Sequence, residues 1–150
     1  MSNHPLLQGA RGERHLLLGN EAIVRGALEA GVHMVSCYPG TPSSEVPDTF
    51  HRLGGEGRYR LEYSVNEKVA LEVAAGAALG GAMSLVTMKH VGVNVAADPL
   101  FTSVYTGLPG GMVLLTADDP GCHSSQNEQD NRTYARFALL PCFEPVSAQE

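Results

Sequence analysis

The chain has 150 residues, of which 43% are hydrophobic and 17% are charged, and its formal net charge is −6. This composition is that of a folded globular domain, and the acidic balance argues against binding to a nucleic-acid backbone, which requires a basic face. No apolar run reaches the ~18 residues that a membrane-spanning helix needs. The first residues lack the features of a signal peptide. The dispersed Cys37, Cys122 and Cys142 suit a reducing compartment, so we expect a cytoplasmic location.

Helix and strand patterns alternate from one end of the chain to the other. Strands that are separated by helices of about ten residues are typical of βαβ units. We therefore predict an α/β fold with a doubly wound, mainly parallel sheet, helices on both faces and right-handed crossovers. The predicted helices are 20–30, 43–53, 67–79, 94–105 and 131–140, and the predicted strands are 32–38, 61–65, 83–88, 112–117 and 143–146.

The last four residues, 147–150, have the form Ser-x-x-Glu, the capping box that opens a helix. A doubly wound sheet without that further helix would expose apolar surface. The sequence therefore predicts a domain that is truncated at its carboxyl end. The alternative is a polar tail that fits the pattern by coincidence.

A carboxylate stands at a strand-to-helix corner in the middle of the chain. The strand-like residues 59–65 lead into Asn66, which is suited to cap a helix, and Glu67 follows in the first turn. Open α/β folds bind ligands at the carboxyl edge of the sheet, so this position predicts contact between Glu67 and a ligand. The alternative is that Glu67 only complements the helix dipole, an effect of about 0.3–1 kcal/mol.

The first of three loops that follow predicted strands runs from residue 37 to residue 45. Two prolines stiffen its backbone, and Gly40 allows a ligand to approach the main chain closely. The hydroxyl groups of Thr41, Ser43 and Ser44 precede a predicted helix, whose amino terminus could bind an anionic group. The other interpretation is an ordinary capped entry to a helix.

The second loop, 87–94, places a lysine and a histidine side by side at a strand end. Lys89 and His90 could supply positive charge and proton transfer. A single histidine is more often a packed or solvated residue, and that interpretation of His90 stays open.

The third loop, 117–132, contains sixteen mostly polar residues, whereas loops between a strand and a helix usually have about two to six. Long loops of this kind are often functional. Asp118, Asp119 and His123 resemble a metal cluster, but their spacing fits no structural zinc site. Solvated loop acids are the favoured interpretation.

Four segments together resemble the amino-terminal, pyrimidine-binding domain of the alpha subunit of indolepyruvate:ferredoxin oxidoreductases. These are thiamine-diphosphate enzymes among the 2-oxoacid:ferredoxin oxidoreductases. The resemblance covers residues 16–150 and implies a thiamine-diphosphate pyrimidine-binding domain there, with residues 1–15 as an amino-terminal extension. The segments are Tyr-Pro-Gly-Thr-Pro-Ser-Ser-Glu (38–45), Asn-Glu-Lys-Val-Ala-Leu-Glu-Val-Ala-Ala-Gly-Ala-Ala (66–78), Thr-Met-Lys-His-Val-Gly-Val-Asn (87–94) and Ala-Asp-Asp-Pro-Gly-Cys-His-Ser-Ser-Gln-Asn-Glu-Gln-Asp-Asn-Arg (117–132).

The resemblance implies a catalytic role for Glu67. In thiamine enzymes a glutamate bonds to the first ring nitrogen of the aminopyrimidine and favours the imino tautomer, which can take the proton from the thiazolium carbon. The resulting ylid attacks the 2-oxo group, and the cofactor stabilises the carbanion that decarboxylation leaves. A glutamine would keep the shape but weaken this proton relay.

The same resemblance implies the other members of the site. His90 would lie beside the cofactor ring as a second catalytic residue, and Thr41 matches a threonine that contacts substrate in the pyruvate enzymes. The cofactor-binding residues that the resemblance implies are Tyr38, Pro39, Gly40, Thr41, Pro42, Glu67 and Asn94.

One position departs from the pyruvate-type pattern. An arginine that grips the substrate carboxylate follows the Thr-Ala pair in those relatives, whereas Thr116-Ala117 is followed here by Asp118. A small 2-oxoacid held by a bidentate arginine at this point is therefore disfavoured. The resemblance favours indolepyruvate or another arylpyruvate.

The chain lacks two motifs that a complete enzyme of this kind needs. It contains no Gly-Asp-Gly segment for Mg²⁺ and diphosphate and no cysteine cluster for an iron–sulfur centre. The resemblance thus implies that magnesium and the iron–sulfur clusters lie in missing domains and that this chain alone is inactive.

The implied reaction is oxidative decarboxylation of an arylpyruvate to an acyl-CoA, with electrons passed to ferredoxin. The implied partners are the 2-oxoacid, CoA and ferredoxin, a diphosphate-binding domain of the same or another chain, and a beta subunit. The alternatives are a pyruvate- or 2-oxoglutarate-type ferredoxin oxidoreductase domain and a non-catalytic α/β module that binds a nucleotide or acts as a scaffold. The long third loop and Glu67 argue against the scaffold.

Overall fold

The computed structural model describes residues 4–9, 12–55 and 57–148. Within them, four strands form one parallel sheet in the order β2-β1-β3-β4. The strands are β1 (Met34–Cys37), β2 (Arg60–Tyr63), β3 (Ser84–Lys89) and β4 (Met112–Ala117). The helices are α1 (Gly19–Glu29), α2 (Glu45–Leu53), α3 (Glu67–Leu79), α4 (Gly92–Val95), α5 (Ala97–Thr106) and α6 (Arg132–Ala138), with a 3-10 turn at Pro5–Leu7.

The sheet separates two hydrophobic cores. On one face, Val35 and Leu85 pack with residues of α1 and α2, including Val24 and Phe50. Successive strand residues point to opposite faces. Val86 and Met88 of β3 accordingly pack on the other face, against Ala70, Leu71 and Ala74 of α3 and Leu100 of α5. Both faces are covered, which confirms the predicted doubly wound α/β fold.

The strand order creates a crevice at the carboxyl edge of the sheet. The chain leaves β1 through α2 on one face, whereas it leaves β3 through α4 and α5 on the other. Neighbouring strands whose connections diverge in this way define a topological switch point, where open α/β folds bind their ligands.

Two predicted elements differ from the structure. The predicted helix 94–105 begins at Gly92 and is broken at Ala96, and Pro99 is accommodated in the first turn of α5, where its missing amide costs no helical hydrogen bond. The predicted strand 143–146 is wrong, because these residues belong to no strand. Phe143 and Val146 are 89% and 91% exposed, and Pro145 lacks the amide that a sheet ladder requires.

The predicted helix opening at residue 147 falls partly outside the described residues, which end at Ala148. The predicted extension 1–15 is also described only in part. Within it, Leu6 is buried in the first core, and Arg25 of α1 donates hydrogen bonds to the carbonyls of Leu6 and Gln8. The division at residue 16 stays a prediction.

Candidate active site

A cleft of about 500 Å³ opens at the switch point. Its walls come from the loop after β1, the start of α3, the end of β3 and the loop after β4. The three loops that were predicted to gather at one edge of the sheet therefore do meet. The lining residues are 38–40, Glu67, Lys89, Val91 and 122–126.

The start of α3 places Glu67 in this cleft. Asn66 is extended (φ −163°, ψ 175°), and its Oδ1 accepts a hydrogen bond from the Val69 amide at 2.9 Å. This cap satisfies one of the free amides of the first turn. The helix consequently begins at Glu67, as the sequence predicted.

The Glu67 carboxylate is half-buried and faces the cleft. Within residues 4–9, 12–55 and 57–148, no group donates a hydrogen bond to it and no cationic side chain lies within ion-pair distance. Its side chain lies instead against Gly92, the first residue of α4. The carboxylate is therefore available to a hydrogen-bond donor that enters the cleft.

The loop after β1 contributes only part of the predicted set. Tyr38, Pro39 and Gly40 line the cleft, whereas Thr41 and Pro42, joined by a cis peptide bond, are exposed outside it. A Cβ built at Gly40 would lie 2.9 Å from the Cβ of Lys89, so this glycine lets the loop pack closely on β3.

The entry to α2 also differs from the anion site that the hydroxyl groups suggested. The Ser43 hydroxyl is buried and donates to the Gly40 carbonyl at 2.9 Å. Ser44, at the helix cap, makes no side-chain capping bond. The Ser43 hydroxyl thus holds the loop conformation.

His90 lies behind the cleft wall. It is fully buried and is not among the lining residues. Its Nε2 stands 2.9 Å from the Asn127 carbonyl oxygen, and because a carbonyl only accepts, Nε2 carries a proton. Nδ1 has no hydrogen-bond partner among the described residues. This geometry makes His90 an anchor for the loop after β4, and its predicted catalytic role stays a prediction.

Asn94 also faces that loop and does not line the cleft. Its Nδ2 donates to Gln129 Oε1 at 2.7 Å, and its Oδ1 accepts from the Tyr134 hydroxyl at 2.5 Å. The buried Asn131 completes the anchorage, because its Nδ2 donates to the His90 carbonyl at 3.0 Å and to the Thr116 hydroxyl at 2.6 Å. The predicted role of Asn94 in cofactor binding stays a prediction.

The loop after β4 forms a wall of the cleft through residues 122–126, which were not predicted as site residues. Lys89 Nζ donates to the Ser124 carbonyl. The Asp119 carboxylate accepts hydrogen bonds from the Ser125 hydroxyl at 2.6 Å and the Ser124 amide at 2.8 Å, which lower the pKa of Asp119 to about 2. Residues 122–126 are thereby held against the cleft. In the sequence, only the unusual length of this loop indicated that these residues could belong to a site.

The acids of this loop interact with neighbouring side chains. In the described part of the chain, no group of three or more His, Cys, Asp or Glu side chains is placed to hold a metal ion. Partial burial raises the pKa of Asp118, and interaction with His90 opposes that rise. Arg132 pairs with Asp130 and Glu144, both at 2.9 Å, and contributes no group to the cleft.

Among solved structures, a 2-oxoglutarate:ferredoxin oxidoreductase from Magnetococcus marinus is similar to 70% of this chain and 18% of that one, with a TM-score of 0.62 and 22% identity. The thiamine-diphosphate-dependent 4-hydroxybenzoylformate decarboxylase of Rhodococcus jostii is similar over 69% of this chain and 19% of its own, with a TM-score of 0.52 and 23% identity. By its fold, the chain is an α/β domain of the kind that thiamine-diphosphate-dependent enzymes contain.

Sequence comparison finds similar proteins within this class, although no family model matches the chain. Indolepyruvate oxidoreductase subunit IorA of Archaeoglobus fulgidus is 59% identical over 149 residues, which cover 97% of this chain and 24% of that protein. The subunit of the same name from Thermococcus kodakarensis is 55% identical over 139 residues, with 93% and 22% covered. The 2-oxoglutarate synthase subunit KorA of Methanothermobacter marburgensis is 30% identical over 145 residues, with 92% and 38% covered.

Over nearly its whole length, the chain is a homologue of part of indolepyruvate oxidoreductase subunit IorA, and the resemblance inferred from the four segments is confirmed. It spans about a quarter of the length of these relatives. In the described residues, no helix is long and apolar enough to cross a membrane.

Proposed function

We propose that this chain is the pyrimidine-binding part of a thiamine-diphosphate-dependent 2-oxoacid:ferredoxin oxidoreductase that acts on indolepyruvate or another arylpyruvate. The observation that carries the proposal is Glu67, a carboxylate that has no donor or cationic partner among the described residues and lies in a cleft at the switch point of the sheet. The names of the relatives support the reaction class and the arylpyruvate substrate.

The residues of the cleft fit the aminopyrimidine end of the cofactor. Glu67 offers carboxylate oxygens without a donor of their own in the described chain, so it can accept a hydrogen bond from a ring nitrogen and hold a proton there. Tyr38 and Val91 offer surfaces against which a flat ring can pack. When bound, thiamine diphosphate supplies the electron sink that decarboxylation of a 2-oxoacid requires.

Lys89 is suited to the carboxylate of the substrate. It is the only lysine or arginine among the described residues that line the cleft. One of its three N–H donors is used by the Ser124 carbonyl, which leaves two for a ligand. We propose that Lys89 takes over the task that an arginine at the position of Asp118 performs in the pyruvate-type enzymes.

The rest of the enzyme must come from outside these residues. The proposed reaction converts the 2-oxoacid anion and the thiol of CoA into an acyl-CoA, CO₂ and one proton, and it passes two electrons to ferredoxin. The proposed partners are therefore a diphosphate-binding domain that holds Mg²⁺, iron–sulfur clusters and a beta subunit. We also propose that residues 16–150 form the pyrimidine-binding domain of that enzyme.

The test uses a chimeric enzyme, in which this chain replaces the matching residues of subunit IorA in the complete Archaeoglobus fulgidus oxidoreductase. Glu67→Gln should slow deuterium exchange at the thiazolium carbon of bound thiamine diphosphate by about 100-fold or more, because general acid–base groups typically contribute about 10²–10⁴-fold. The matched control is Glu72→Gln, an exposed glutamate of the same helix that stands 4.0 Å from Lys68. Exchange at the unsubstituted rate in Glu67→Gln would refute the proposed role.

The second candidate is a 2-oxoglutarate-type enzyme, which the 30% identity to subunit KorA favours. Competition between indolepyruvate and 2-oxoglutarate in the chimeric enzyme separates the two. Preference for 2-oxoglutarate would contradict the arylpyruvate assignment while it left the role of Glu67 intact.

A further inference from the structure

We propose that Gly92 is a positioning residue, which fixes the place of the Glu67 carboxylate because any side chain at position 92 would displace it. This inference rests on the proposed function only for its catalytic consequence. The steric claim stands on the geometry of the two residues.

The contact between the two residues is very close. A Cβ added to Gly92 would lie 2.6 Å from Cγ and 2.6 Å from Oε1 of Glu67, and 2.9 Å from its Cδ. Real Cβ atoms do not approach other heavy atoms to less than 3.0 Å. The Glu67 side chain therefore occupies the space that a side chain at position 92 would need.

The backbone gives no other reason for glycine at this position. Gly92 is the first residue of α4 and is not among the described residues with positive φ. Alanine is the better helix former at such a position. The requirement for glycine thus comes from the neighbouring glutamate.

Glu67 is the partner that would move. Gly92 is buried, and both Val93 of α4 and Ala96, which directly follows α4, are buried in the second core, at 1% and 0% exposed. The Gly92 carbonyl also accepts the Ala96 amide at 3.1 Å. Glu67, in contrast, has a flexible side chain with the open cleft beside it. A methyl group at position 92 should push the carboxylate into that cleft.

Proton transfer requires precise placement of the reacting groups, so a displaced Glu67 carboxylate should slow it. A displacement of about 1 Å at a reacting group can cost about 100-fold in rate. In the chimeric enzyme, Gly92→Ala should slow deuterium exchange at the thiazolium carbon about 10- to 100-fold. The control is Gly76→Ala in α3, which makes the same chemical change at an exposed glycine where, apart from its chain neighbours and the nearby backbone of its own helix, no described atom lies within 4 Å of the added Cβ. Gly76→Ala should exchange at the unsubstituted rate.

A double-mutant cycle separates displacement of Glu67 from general damage. Gly92→Ala alone should lower the thermal unfolding midpoint relative to the unsubstituted chimeric enzyme, whereas Gly76→Ala should leave it unchanged or raise it, because alanine is the better helix former. In a Glu67→Ala background the space is free, so Gly92→Ala should leave the midpoint unchanged or raise it. If the single variant fails to fold, recovery of the folded enzyme in the double variant supports the same conclusion.

Two results would overturn the inference. One is a Gly92→Ala variant that unfolds at the midpoint of the unsubstituted chimeric enzyme. The other is an equal loss of midpoint in the presence and absence of the Glu67 side chain. Both midpoint results are independent of the catalytic role of Glu67, which Glu67→Gln tests separately. A failure of the proposed function is therefore distinguishable from a failure of this steric claim.

Discussion

Removal of the cap at Asn66 should loosen the first turn of α3 without unfolding the helix. In Asn66→Ala, the Val69 amide loses the Oδ1 acceptor that stands 2.9 Å away. Replacing an Asn cap by Ala costs about 0.5–2 kcal/mol and typically about 1 kcal/mol. The body of the helix stays in place, because Ala70, Leu71 and Ala74 are fully buried against the sheet.

Loss of the cap should lower both the unfolding midpoint of the chain and the hydrogen-exchange protection of the Val69 amide. For a chain of this length, about 1 kcal/mol corresponds to a fall of about 2–4 °C in the unfolding midpoint. The same free energy is a factor of about five in an equilibrium constant, so hydrogen-exchange protection of the Val69 amide should fall about fivefold. Because Glu67 is in this turn, its carboxylate should become more mobile.

The assays are thermal unfolding followed by circular dichroism and amide hydrogen exchange, both performed on the same preparations. Asn66→Ser is the matched control, since serine caps helices about as well as asparagine. The reasoning is refuted if serine costs as much as alanine, or if alanine changes neither the midpoint nor the Val69 protection.

Two further predictions concern Cys37 and Lys89. Burial, reinforced by Asp48 and Glu62, raises the pKa of Cys37 to about 12. At pH 8 a thiol reagent should therefore label the exposed Cys142 quickly and the buried Cys37 only on unfolding. Equal labelling rates at the two cysteines would contradict this prediction. The raised pKa favours the neutral thiol in the folded state, so its contribution to stability is complete below pH 9 and is lost as the pH rises towards 12. Lys89→Met should lower kcat/KM for the arylpyruvate about 10- to 150-fold, the equivalent of a charged hydrogen bond of about 1.5–3 kcal/mol. The exposed Lys68→Met is the control, and equal kinetics in the two variants would exclude Lys89 from carboxylate binding.

The sequence predicted most of the fold because its helices and strands carry clear local signals. Asn66 marks the start of α3, and the apolar run of β4 has no competing helical pattern. The predicted strand at 143–146 failed because Phe143 and Val146 suit a strand but have no partner strand beside them. Pairing is a tertiary property, and a short apolar run cannot report it.

The site was predicted less completely, for a reason that lies in strand geometry. Lys89 and His90 were treated as a pair, but adjacent residues at a strand end point to opposite sides. Lys89 consequently lines the cleft, whereas His90 follows Met88 towards the buried side. The wall formed by 122–126 depends on long-range hydrogen bonds to Lys89 and His90, which no local pattern encodes.

The two interpretations of Glu67 can now be weighed against each other. A glutamate that served only the dipole of α3 would gain about 0.3–1 kcal/mol from any first-turn position and could extend into solvent. Such a residue would need no glycine against its side chain. Glu67 instead packs so closely on Gly92 that a Cβ there would clash with it, and it lines a cleft that Lys89 also lines. In our proposal, this carboxylate, which has no donor among the described residues, accepts a hydrogen bond from a donor that arrives with a ligand. A carboxylate in the first turn also complements the dipole of α3, so the two interpretations of Glu67 are compatible.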